Sequence, residues 1–88
     1  MSVSPEEKTL TEGRRALEAG NIPEAYEQYS ELIEEEQFLD RVIDDLKDAQ
    51  YRYPVEVNIY ELLGDAYMRT DQLQEAIDAY TKAEELLA

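Results

Sequence analysis

The chain has 88 residues, with eight basic and 22 acidic side chains, a net charge of −14, and neither cysteine nor histidine. This length allows one domain spanning residues 1–88, and a hydrophobic share of 43% is enough to build a core. The charge balance excludes nucleic acid and disfavours anionic membranes, while the missing thiols and imidazoles remove disulfides, the commonest zinc ligands and the commonest general base.

Ser4-Pro5-Glu6-Glu7 opens the first helix. Ser4 caps it, Pro5 suits the first turn, and Glu7 completes a capping box. The helix runs to about Ala19 with Leu10, Gly13, Ala16 and Leu17 facing inward, and Gly20-Asn21 ends it because both residues tolerate positive φ. Pro23 sits in the first turn of the second helix, whose inward face is Ala25, Tyr26, Tyr29, Leu32 and Ile33 at spacings of three and four. The third carries Leu39, Val42, Ile43, Leu46 and Ala49, and Tyr53-Pro54 stops it. A fourth runs from about Val57 to Arg69 and faces inward through Ile59, Leu62, Leu63, Ala66 and Tyr67. Asp71-x-x-Gln74 caps a fifth, with Leu73, Ala76, Ile77, Tyr80 and Ala83 inward.

One junction has two readings. Glu34-Glu35-Glu36-Gln37-Phe38 holds no glycine or proline. Either Asp40 caps a separate third helix, or helices two and three fuse into a rod of about 30 residues, ~45 Å long. A fused rod recovers its lost packing by exchanging helices with a second copy.

Two stretches repeat one spacing. Tyr60-x-x-Leu63-Gly64-x-x-Tyr67 is followed by Ala76-x-x-x-Tyr80-x-x-Ala83, and Gly13, Gly20, Ala25, Tyr29 and Leu32 echo them. Self-similarity of this kind marks repeat architecture. The later run resembles a tetratricopeptide repeat, a helix–turn–helix unit of about 34 residues, with Tyr60 standing where tryptophan is commonest. The earlier copy is weaker, since Glu12 and Ala16 replace the usual Leu and Tyr; Pro54 matches the family's closing proline. The resemblance spans about Thr9 to the C-terminus. Gly13 and Gly64 are 51 residues apart, one and a half units, so the second helix closes one unit and opens the next. The resemblance thus implies an all-α fold: five antiparallel helices in a right-handed superhelical stack of about two and a half repeats.

That resemblance also implies a non-catalytic protein–protein interaction module. Its concave groove is lined by Asn58, Glu61, Asp65, Met68 and Arg69 of the fourth helix. Glu24, Glu27, Glu31 and Glu35 of the second add to it, as do Arg14 and Leu10 of the first. The partner expected for this acidic surface is a basic or amphipathic peptide anchored at Tyr60 and Met68, weighed against a solvated charged face that serves solubility alone. The chaperone C-terminal carboxylates gripped by some members would meet like charge here and are not expected to bind. The alternative function is a self-assembling, homo-oligomeric module, with Phe38, Leu39, Leu86 and Leu87 as contacts, because terminal repeats without polar caps need cover.

The other residue clusters read as structure. Tyr26, Tyr29, Tyr60, Tyr67 and Tyr80 fall at core spacing, whereas Tyr51 and Tyr53 lie near a helix end and are more exposed. Asp40, Asp44, Asp45 and Asp48 lack the glycine turn of a calcium loop and read as a solvated face, so no metal is expected. No cofactor and no catalytic residue is expected. The acidic N-terminus is no signal peptide, and no apolar run reaches the ~20 residues of a membrane span, so a cytoplasmic location is the expectation.

Overall fold

The computed structural model describes residues 2–88. Among them are five α-helices: α1 (Pro5–Ala19), α2 (Ile22–Glu34), α3 (Leu39–Arg52), α4 (Val57–Arg69) and α5 (Leu73–Leu87). They pack in sequence as a stack measuring 46 × 29 × 17 Å. α1 pairs with α2, and α4 with α5, as the two closest hairpins. α3 bridges them, touching α1, α2 and α4, while α2 and α4 lie side by side. This is the all-α, sequentially packed arrangement expected of a tetratricopeptide-like stack.

The three-and-four spacing becomes a continuous core. Tyr29, Leu32, Val42, Leu46, Ile59 and Leu62 are fully enclosed. Each such side chain stabilises the fold by roughly 1.5–3 kcal/mol relative to exposure. Three inward assignments do not hold. Tyr26 is 37% exposed, Leu73 56% and Ile77 57%. Tyr26 lies at the edge of the α2–α4 contact, and α5 has only α4 to pack against among the described helices. A helix with one neighbour buries a narrower stripe than its apolar pattern offers.

The helix ends are built by backbone geometry more than by side-chain caps. The Ser4 capping box forms, with the Glu7 N–H donating to Ser4 Oγ at 3.1 Å and the Ser4 N–H to Glu7 Oε1 at 3.4 Å. Neither expected aspartate cap forms. α3 starts at Leu39, which puts Asp40 inside its first turn, and Asp71 ends the turn after α4 with φ 58°. Gly20 ends α1 at φ 75°, with its N–H donating to Leu17 O and the Asn21 N–H to Ala16 O. Asp71 stands 51 residues later and repeats the arrangement, its N–H donating to Met68 O and the Gln72 N–H to Tyr67 O.

Glu36 repeats the motif at the ambiguous junction. Its φ is 53°, its N–H donates to Ile33 O, and the Gln37 N–H donates to Leu32 O. Phe38 is left-handed too, at φ 54°. Helices two and three are therefore separate, and the fused rod does not form. The stop uses the paired terminal bonds usually completed by glycine, here carried by glutamate. A Cβ in this region costs roughly 1–2 kcal/mol. Glu36→Gly is accordingly expected to raise stability by about 0.5–1 kcal/mol, even though it removes an exposed ion pair, because such pairs contribute little. A urea midpoint that stays put or falls would show that the junction carries no such strain.

Candidate functional site

Each hairpin is closed by the same small-against-large contact. Gly13 on α1 faces the ring of Tyr29 on α2, and Gly64 on α4 faces the ring of Tyr80 on α5. Glycine permits that approach because it has no Cβ to meet the ring. The tyrosine hydroxyls then need acceptors, and the two hairpins find them differently. Tyr80 donates to Asp65, the residue after Gly64. The residue after Gly13 is Arg14, which has no lone pair to offer. Asp45 of α3 accepts instead, from the Tyr29 hydroxyl at 2.8 Å and from Arg14 Nε at 2.8 Å. One carboxylate thus ties α3 to both members of the first hairpin. Asp45 is occupied in this way and does not belong to a solvated acidic run. Among the described residues, no group of three or more histidines, cysteines or carboxylates is placed to hold a metal ion.

Both hydroxyls hold their protons more tightly than a free tyrosine. Burial is the larger cause for Tyr29, followed by its bond to Asp45. For Tyr80, burial and then Asp65 push the pKa up to about 12. The folded state therefore binds these protons more strongly than the unfolded state. The stability they contribute is fully present below the unfolded value near ~10 and is lost as pH rises through the folded value. Alkaline unfolding is expected to steepen between about pH 10 and 12, and Tyr80→Phe should flatten that dependence. An equally steep profile in the variant would remove Tyr80 from the account.

A cleft of about 410 Å³ opens between α2 and the second hairpin. Its walls are Tyr26, Ser30, Ile33 and Glu34 from α2, with Asp65, Met68 and Arg69 from α4 and Tyr80 from α5. Two carboxylates and one arginine surround an apolar floor. Arg69 Nη1 is 3.6 Å from Glu36 Oε2 in an exposed pair. This ties the guanidinium to the α2–α3 junction and leaves Glu34 and Asp65 uncompensated within the cleft.

The structure brings together only part of the expected groove. Asp65, Met68 and Arg69 line the cleft; Asn58 and Glu61 lie on the same side of α4, half-buried and outside it. Glu27 and Glu31 are exposed on α2 but are not cleft walls. Leu10 is buried and cannot line any groove. Tyr60 is buried as well, with its hydroxyl donating to Pro54 O at 2.9 Å, so it is no surface anchor. Sequence reasoning missed Tyr26, Ser30, Ile33, Glu34 and Tyr80. The available signal was the alignment of Tyr26 with Ile77 at the 51-residue offset, a position that faces outward in both hairpins.

The proposed self-contact residues are divided. Phe38 and Leu39 pack against the core, with the Arg41 guanidinium 5.3 Å above the Phe38 ring. Leu86 is half-buried and Leu87 is exposed. Tyr51 is exposed as expected, but Tyr53 is half-buried and donates to Leu17 O at 2.6 Å.

The fold is a helical-repeat stack of five helices among the described residues. Residues 57–87, the span of α4 and α5, match the tetratricopeptide repeat family. No curated protein and no solved structure matches the chain. The first hairpin shares the glycine–tyrosine closure and the helix stop of the matched one, at an offset of 51 residues. No helix among the described residues is long and apolar enough to cross a membrane.

Proposed function

We propose that the protein is a non-catalytic interaction module that takes a basic or amphipathic peptide in the cleft between α2 and α4. The tetratricopeptide repeat implies protein partners, and the family is typically non-catalytic. The observation that supports this choice of site is the cleft itself. Met68, Ile33, Tyr26 and Tyr80 give an apolar floor, and Glu34 and Asp65 stand at its walls. Glu27, Glu31 and Glu61 extend the negative potential along both helices. A cationic peptide would be steered to this face and held by a desolvated side chain on the floor.

Charge reversal tests the reading. A lysine-rich helical peptide should bind the protein and lose roughly tenfold or more in affinity when Glu34→Lys and Asp65→Lys are combined. Glu27→Lys with Glu61→Lys, on the flanks, should slow association and weaken its salt dependence. Binding that survives the first pair would remove the cleft as the site.

A further inference from the structure

α2 and α5 occupy equivalent places in the two hairpins, and one of them is bare. Shifting α2 by 51 residues superposes Glu24-Ala25 on Glu75-Ala76, Tyr29 on Tyr80, Ile22 on Leu73 and Ile33 on Glu84. On α2 this ridge is covered at three of its five positions, Tyr26 and Glu36, the counterparts of Ile77 and Leu87, being exposed. Ile22, Tyr29 and Ile33 are buried, and α3 and α4 both pack against the helix. On α5 the same ridge is open. Leu73 is 56% exposed, Ile77 57% and Leu87 72%. With Tyr80 and Glu84 they follow a four-three-four-three spacing, the seam that a partner helix reads.

We infer that the α5 ridge is a second docking surface, adjoining the α2–α4 cleft at Tyr80, that receives an amphipathic helix of another protein carrying a basic residue in its apolar stripe. The occupant lies on α5 as α4 lies on α2. The argument for the basic residue is Glu84. It stands in the seam where α2 has the buried Ile33, so a helix that covers the ridge also covers a carboxylate. Covering a charge without a partner is costly, and a lysine or arginine opposite Glu84 removes that cost. Asp65, bonded to Tyr80 at the edge of the ridge, adds to the same potential.

A second copy fits less well. Two α5 ridges paired antiparallel about Tyr80 would set each Glu84 against the other's Ile77, leaving two carboxylates against apolar surface. The net charge of −14 on each copy opposes the same encounter.

The test uses a synthetic three-heptad helical peptide with leucine in the seam and one seam lysine, against the same peptide with glutamate there. Backbone amide shifts of the labelled protein locate the contact. The lysine peptide should bind with shifts centred on Leu73, Ile77 and Glu84, and about tenfold more tightly than the glutamate peptide. Ile77→Asp should weaken binding by roughly tenfold or more with unchanged helicity, since the side chain is already largely in water. Glu84→Lys should invert the preference between the two peptides. Three outcomes would overturn the inference: shifts confined to Tyr26, Ser30 and Met68; no saturable binding of either peptide; or a self-association, abolished by Ile77→Asp, that moves the same amides without peptide.

Discussion

Tyr29→Ala is expected to cost about 3–5 kcal/mol, the largest loss from any single truncation in this chain. The ring is fully enclosed and is the largest such side chain. It fills the space over Gly13 and reaches α3 through Asp45. Its removal leaves a cavity where three helices meet, and frees Asp45 to interact with Arg14 alone. A domain of this size has ~4–13 kcal/mol of total stability, so the variant should be largely unfolded at modest urea. Tyr29→Phe separates the contributions. It keeps the ring and loses only the hydroxyl bond, for roughly 1 kcal/mol. Equal losses in the two variants would mean that the polar tie, and not the packing, dominates.

Gly64→Ala should also destabilise, against the usual sign for glycine in a helix. In an exposed helix interior that change gains about 1 kcal/mol. Here a Cβ would stand 2.6 Å from Tyr80 Cδ1, inside the ring's van der Waals contact. The ring must swing away, which breaks its bond to Asp65 and loosens the closest hairpin in the molecule. A net loss of about 1–3 kcal/mol follows, read as a fall in Tm of several degrees. Gly13→Ala sets its Cβ 3.0 Å from Tyr29 Cε2, which needs a shift of only a few tenths of an ångström. It should be milder. Tyr80→Ala should relieve most of the cost of Gly64→Ala, because the two positions interact directly. Additive losses would place the clash elsewhere.

The helices were legible because the apolar periodicity and the prolines act locally. Ser4-Pro5, Pro23 and Pro54 mark boundaries through φ and missing donors, and these effects need no tertiary partner. The Glu34–Phe38 junction was not legible, because its stop is a backbone hydrogen-bond motif carried by glutamate. Nothing in the side chain of Glu36 announces a left-handed residue. The cleft was read only in part for a different reason. Asp65, Met68 and Arg69 follow from the outward arc of α4 alone. Tyr26 and Ile33 depend on where α4 lands on α2, and helix periodicity does not encode that placement. Tyr60 was misjudged as an anchor because a family position says which side of a helix a ring takes, not whether its hydroxyl finds a buried acceptor.

The order of packing has a kinetic consequence. Each helix rests mainly on its neighbour in sequence, so most of the loops that the chain closes on its way to the native state are short. Short loops cost little entropy, and domains built from local contacts fold in roughly microseconds to milliseconds. The two glycine–tyrosine hairpins can each form before they meet. α3 then docks late, when Asp45 finds both Tyr29 and Arg14. Refolding should be fast, with the slowest step registered at α3 and not at either end of the chain.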